Sequence, residues 1–151
     1  MKDTTIIIKN AVLIVFMIGG FFFFTKIFGL HENPFLRFFN LLFVGIGIRQ
    51  AIKTNIKVNK ETSYIINLGL GLQTSALAVL FSIVGVVSYV EFIDPDFLNA
   101  MDKSFLISGS LSLPELFITL LIEGMASSLI GSFIVMQFYK NHDKLLAKNL
   151  I

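Results

Sequence analysis

No Asp, Glu, Lys or Arg occurs between Glu61 and Glu91. A helix needs about 20 predominantly apolar residues to cross the ~30 Å hydrocarbon core of a bilayer, and this uncharged interval exceeds that length. It therefore reads as a membrane-spanning helix with length to spare for tilt. The rest of the chain follows the same pattern. Of its 151 residues 55% are hydrophobic and only 15% are charged, against roughly 25% charged in soluble domains. A soluble domain of this size keeps a large surface relative to its volume and has no means of hiding so much apolar area. The 17 Phe residues suit hydrocarbon, because Phe has no polar group to satisfy.

The expected fold class is all-α: an integral membrane bundle of four transmembrane helices in a single domain covering 1–151. Its spans are placed at about 6–28, 35–52, 64–90 and 114–138. The first contains the run Phe21 to Phe24 and carries only Lys9 and Lys26, near its two ends. Long Lys stems snorkel from such positions to the headgroups. A cleaved signal peptide is the competing reading, but the apolar stretch is long for one and no small-x-small cleavage site follows it. The second span starts at Asn33-Pro34, where Asn can cap and Pro can occupy the first helical position. Pro114 marks the start of the fourth in the same way, and Lys140 ends it.

The connections differ in character. The first is short, around His31-Glu32-Asn33. The second, from Arg49 to Glu61, is basic and polar. The third, from Glu91 to Leu113, is long and acidic. Within it Asp94 reads as the cap of a short helix over about 95–106, with Phe97, Leu98, Met101 and Phe105 on one face. That segment is expected to lie in the membrane interface. Residues 108–112, Ser-Gly-Ser-Leu-Ser, read as a flexible joint into the last span. Basic residues set orientation, with an excess on the cytoplasmic side. Four spans gather Lys2, Lys9, Arg49, Lys53, Lys57, Lys60, Lys140, Lys144 and Lys148 on one side, against Lys26, Arg37 and Lys103 on the other. Both termini are therefore expected to be cytoplasmic. The ordinary meaning of the basic connection is this topology signal, and a specific site for anionic lipid or a partner is the lesser alternative.

Glu123 is the residue most open to a functional reading, because an ionisable group within a span raises one by default. Gly124, Ala126, Ser127, Ser128, Gly131 and Ser132 surround it, and small residues four apart let another helix approach closely. Gln73 and Thr74, on the third span at a similar expected depth, are its candidate polar partners. The alternatives are a protonated carboxyl hydrogen-bonded across a helix contact, a proton- or cation-linked role, and a shallower site where Glu123 meets water. Asn40 and Asn67 read as interhelical glue. Gly45-x-Gly47 and Gly69-x-Gly71 read as packing positions within helices.

Cysteine chemistry is excluded, since the chain has no Cys. His31 and His142 fall on opposite sides under this topology and cannot share a metal. Glu91, Asp94 and Asp96 would at most bind a divalent cation weakly, and solvated loop carboxylates are commoner. No phosphate-binding glycine loop, nucleophile elbow or zinc-helix motif appears. Catalytic residues, metal sites and cofactors are accordingly not expected, and the net charge of +2 does not suggest nucleic acid.

The stretch Tyr89-Val90-Glu91-Phe92-Ile93-Asp94-Pro95-Asp96-Phe97-Leu98 resembles a signature in a bacterial family of small four-helix membrane proteins, catalogued as domain of unknown function 4199. The layout is similar as well: four hydrophobic segments, a basic stretch after the second, and Asp94, Pro95, Asp96, Phe97 and Leu98 just after the third. The resemblance implies this architecture and a bacterial cytoplasmic (inner) membrane, and it implies no reaction. The function expected is that of a multi-pass membrane protein, structural or accessory rather than enzymatic. It would act through helix packing with itself or with a membrane-protein partner. The alternative is a small oligomeric proton- or cation-linked transporter using Glu123.

Overall fold

The structure, a computed structural model, describes residues 2–30, 33–104 and 111–140. Five α-helices make up most of it: α1 (Asp3–Ile27), α2 (Phe38–Thr54), α3 (Tyr64–Phe92), α4 (Phe97–Ser104) and α5 (Leu113–Tyr139). A 3₁₀ turn over Pro34–Arg37 leads into α2, and a π-helical turn over Asn55–Asn59 extends it. The described residues contain no strand. His31, His142, Lys144, Lys148, Phe105 and the joint over 108–110 lie outside the described residues.

Three helices, α1, α3 and α5, are long and apolar enough to cross a membrane. They are apolar on all sides. Their inward faces form the core, and their outward faces expose residues such as Phe16 (75% exposed), Ile65 (78%) and Phe138 (83%). Helices hydrophobic all round belong in a core or a membrane, and a core cannot contain these faces. The 17-residue α2 is not among the three. At 1.5 Å per residue it covers only about 25 Å. It nevertheless packs with α1, α3 and α5, and the α3–α5 contact is the most extensive in the molecule. Ile14, Val44, Ile48, Ile52, Ala78 and Met136 meet in the main core.

Glycine sets two of the close approaches. A Cβ on Gly47 would run into the Ile14 side chain, and one on Gly71 would press on Ile48 at 3.0 Å. Gly45 and Gly69 face open space, so only one member of each Gly-x-Gly pair serves helix contact.

Two segments differ from the sequence reading. The expected polar connection over residues 49–61 is mostly helical, because α2 runs to Thr54 and the π turn continues it to Asn59. Lys60, in the left-handed region at φ 57°, stops it. One polar residue there turns inward rather than into solvent: Asn55 is 1% exposed, whereas Arg49, Lys53, Lys57 and Lys60 stay exposed. The helix after Asp94 also starts later than expected. Asp94-Pro95-Asp96-Phe97 forms a turn in which the Phe97 N–H donates to the Asp94 carbonyl at 3.1 Å. Asp and Pro favour the first two positions of such a turn. α4 begins only at Phe97, whose backbone N–H also donates to the Asp94 carboxylate as expected of a cap, and Asp94 has a second task, described below. Phe97 and Met101 are buried against Tyr89, Val90 and Leu116. The amphipathic face of α4 is thus satisfied by protein.

Candidate functional site

α3 and α5 run antiparallel, and their register follows from two contacts. Gly124 sits against Val79, with only 2.5 Å from an added Cβ to Val79 Cγ1, and Gly71 faces Ser132. The two contacts are eight residues apart on either helix, which places Ser75 level with Ser128. Gly71, Ser75 and Val79 thus oppose Ser132, Ser128 and Gly124, each step one helical turn. This is the small-residue face anticipated around Glu123, and it is used within the chain, against α3. Ser75 donates to the Gly71 carbonyl of its own helix at 3.0 Å. The Ser128 and Ser132 hydroxyls are buried and find no hydrogen-bond partner among the described residues. The seam is selected by size, not by polar pairing.

Glu123 lies beside this seam, not in it, and its side chain is exposed on the surface of the chain. In the same register it is level with Leu80, seven residues along α3 from Gln73, or about 10 Å at 1.5 Å per residue. Gln73 is also exposed, whereas Thr74 is fully buried and donates to the Leu70 carbonyl at 2.8 Å. The structure therefore does not gather Glu123, Gln73 and Thr74 into one internal site. Matching depths alone suggested it; the helix register, which no single sequence reveals, separates them.

Two polar clusters tie the ends of the bundle. At the end where α1 begins and α5 finishes, the Asn59 amide donates to Asp3 Oδ1 at 3.1 Å and to Asn55 Oδ1 at 2.8 Å. Asn55 passes the pattern on, donating to Asn67 Oδ1 at 3.0 Å. Asn67 ends it by donating to the carbonyls of Glu61 at 2.9 Å and Ser63 at 3.1 Å. Asn55 and Asn67 are almost completely buried, so these amides need such partners. The reading of Asn67 as glue falls on this clasp. Asn55 and Asn59 were missed because they stood in what looked like a solvated basic loop.

At the opposite end, Lys26 of α1 donates to the Tyr89 hydroxyl of α3. Tyr89 in turn donates to Asp94 Oδ2 at 2.9 Å, and Lys26 Nζ reaches the same oxygen at 3.4 Å. The ammonium also lies 4.6 Å from the Tyr89 ring centroid, within cation–π range. Phe22, one turn before Lys26, completes an aromatic triangle with Tyr89 and Phe97, with centroids 5.1, 5.4 and 5.6 Å apart in edge-on geometry. The hydrogen bond from Tyr89 and the Lys26 charge hold the Asp94 carboxyl below its ordinary range. Tyr89, Asp94 and Phe97 all belong to the signature-like stretch 89–98, and their common target is one face of α1. Lys26, placed by the sequence at a span end, also anchors α1 to this cluster. The start of α5 is fixed separately, by Glu115 accepting from the Ser112 N–H at 2.8 Å and hydroxyl at 2.6 Å. The Ser-x-x-Glu spacing is the sequence signal for that pairing.

Glu91, Asp94 and Asp96 do not converge. Among the described residues no group of three or more His, Asp or Glu could hold a metal ion. Comparison with family models, with curated proteins and with solved structures finds no match.

Proposed function

We propose that this chain is a multi-pass membrane protein of structural or accessory kind, which acts by packing with itself or with another membrane protein. The observation that carries the proposal is the exposure of Glu123 on α5. Glu123 is ten residues from Leu113 and sixteen from Tyr139. At 1.5 Å per residue, it lies about 15 Å from the outer end of the helix. With α5 centred on ~30 Å of hydrocarbon, that position is inside the apolar layer. A charged group near the centre of a span costs about 2.5–3.5 kcal/mol on insertion scales. A helix face that exposes such a residue is better matched by the polar groups of a neighbouring protein helix than by lipid, which offers none. The nine-to-three excess of basic residues supports an orientation with both termini cytoplasmic, and α2 completes four spans if the 3₁₀ turn before it enters the bilayer. The resemblance of Asp94, Pro95, Asp96, Phe97 and Leu98 to the bacterial family supports an inner-membrane setting.

The second reading, a proton- or cation-linked carrier using Glu123, rests on the same exposure and requires the assembly too, because only an oligomer would turn this surface into an enclosed interior. The test is the mass of the parent, Glu123→Gln and Glu123→Leu in mild detergent. The parent and the Gln variant are expected to run as an assembly, and the Leu variant to dissociate. A parent that is a monomer under every mild condition defeats both readings. Proton uptake by liposomes that is lost in an assembled Glu123→Gln variant favours the carrier.

A further inference from the structure

At the end of the bundle where α1 begins, Arg49, Lys53 and Lys57 line a cleft of about 140 Å³ together with Ile56 and Tyr139. The volume is several times the ~30 Å³ share of one water molecule. Arg49 and Lys53 are one turn apart on α2, and the π turn brings Lys57 into the same cleft. Among the described residues no carboxylate lines it, and none of the three cations makes an ion pair. Like charges one turn apart on a helix repel, so the arrangement is unfavourable when the cleft is empty. A membrane-topology signal requires basic residues on one side of the bilayer and nothing more. It does not require three of them around one cleft, with a Tyr from another helix forming its wall. The helix dipole favours cations near the end of α2, but it acts within the last turn and leaves Arg49 unexplained.

We propose that this cleft binds a phosphate-bearing anion, with the headgroup of an anionic phospholipid as its expected occupant. Arg49 supplies a planar fork suited to two phosphate oxygens, and the lysines supply point charges beside it. The buried Ile56 and the ring of Tyr139 give the cleft an apolar wall where the headgroup meets its acyl chains. The cleft is formed by α2, the π turn and α5 of one chain, so the inference is independent of assembly through Glu123.

The experiment compares thermal unfolding of the full chain in lipid discs of phosphatidylcholine alone and of phosphatidylcholine mixed with phosphatidylglycerol. The expected result is a higher unfolding midpoint with phosphatidylglycerol, lost in the triple variant Arg49→Gln, Lys53→Gln, Lys57→Gln. A matched triple variant, Lys2→Gln, Lys9→Gln, Lys60→Gln, removes the same charge from the same end and should keep the rise. Each variant retains six of the nine basic residues that set orientation. Equal loss of the rise in both variants, or no rise in the parent, overturns the lipid assignment. Inorganic phosphate added to phosphatidylcholine discs is the second arm. A rise there that needs Arg49, Lys53 and Lys57 supports the cleft as an anion site with a soluble occupant. No response to either probe overturns the site.

Discussion

The two ends of the bundle are tied by different chemistry. One end uses neutral amides: Asn59, Asn55 and Asn67 pass hydrogen bonds through a nearly dry interior. The other uses charge: Lys26, Tyr89 and Asp94 meet at the rim, where the Lys and Asp side chains remain 35% and 28% exposed. The difference follows from burial. A buried ion pair must offset a large desolvation penalty, so a dry junction favours amides, whereas a rim open to water tolerates ions. The amide clasp should therefore contribute more to stability, and its buried Asn55–Asn67 bond should be indifferent to pH. The charged latch should contribute less and depend on pH.

Breaking the amide clasp should have the largest effect. Asn67→Leu removes the acceptor for Asn55 and leaves a buried amide without its partner. The expected loss is roughly 2–4 kcal/mol, since each deleted bond weakens the fold and each stranded polar group adds a desolvation penalty. Unfolding in mixed micelles titrated with denaturing detergent would measure it, and a change within error would remove the clasp from the account.

The charged latch should respond to acid. Because the folded Asp94 carboxyl is held below its ordinary value, its contribution is complete above the usual carboxyl range near ~3.9 and disappears as pH falls through the lowered folded value. The chain has no Cys, so a spin label on Asn99→Cys, exposed on α4, reports this end alone. Its mobility should rise on acidification below that range, while a label on Ile65→Cys, exposed beside the buried Asn67, should not change. In Asp94→Asn the Asn99 label should lose its pH dependence. Equal responses at both ends would erase the distinction.

The smallest effect belongs between the two ends. Ser132→Ala removes a buried hydroxyl without a partner among the described residues and keeps the seam narrow. Stability should stay within about 0.5 kcal/mol of the parent or rise slightly, because the lost group made no compensating bond. A loss as large as that of Asn67→Leu would mean the seam relies on polar pairing after all.

The long apolar elements were legible in the sequence because charge marks their ends. The uncharged interval after Glu61 became α3, and Pro114 and Lys140 bracket most of α5. Asp94 was legible as a polar punctuation point but not as an ion-pair partner, because Lys26 lies 68 residues away. The π turn escaped because its Asn and Lys residues resemble a loop, and only packing distinguishes a buried Asn55 from a solvated one. Glu123 was recognisable as unusual, yet its facing depends on helix rotation. The small residues around it indicated a close contact, but Gly124 turned that contact toward Val79 and left the neighbouring Glu123 outside.

The central claim, that protein rather than lipid covers the Glu123 face of α5, is tested most directly by photo-crosslinking in intact membranes. A benzophenone amino acid would replace Ala126, exposed one turn from Glu123, and in a separate variant Phe16, exposed on α1. The account predicts a discrete protein adduct from position 126, at twice the chain's mass for self-association, and no such adduct from position 16. Position 126 giving no protein adduct, or both positions giving the same one, would contradict it.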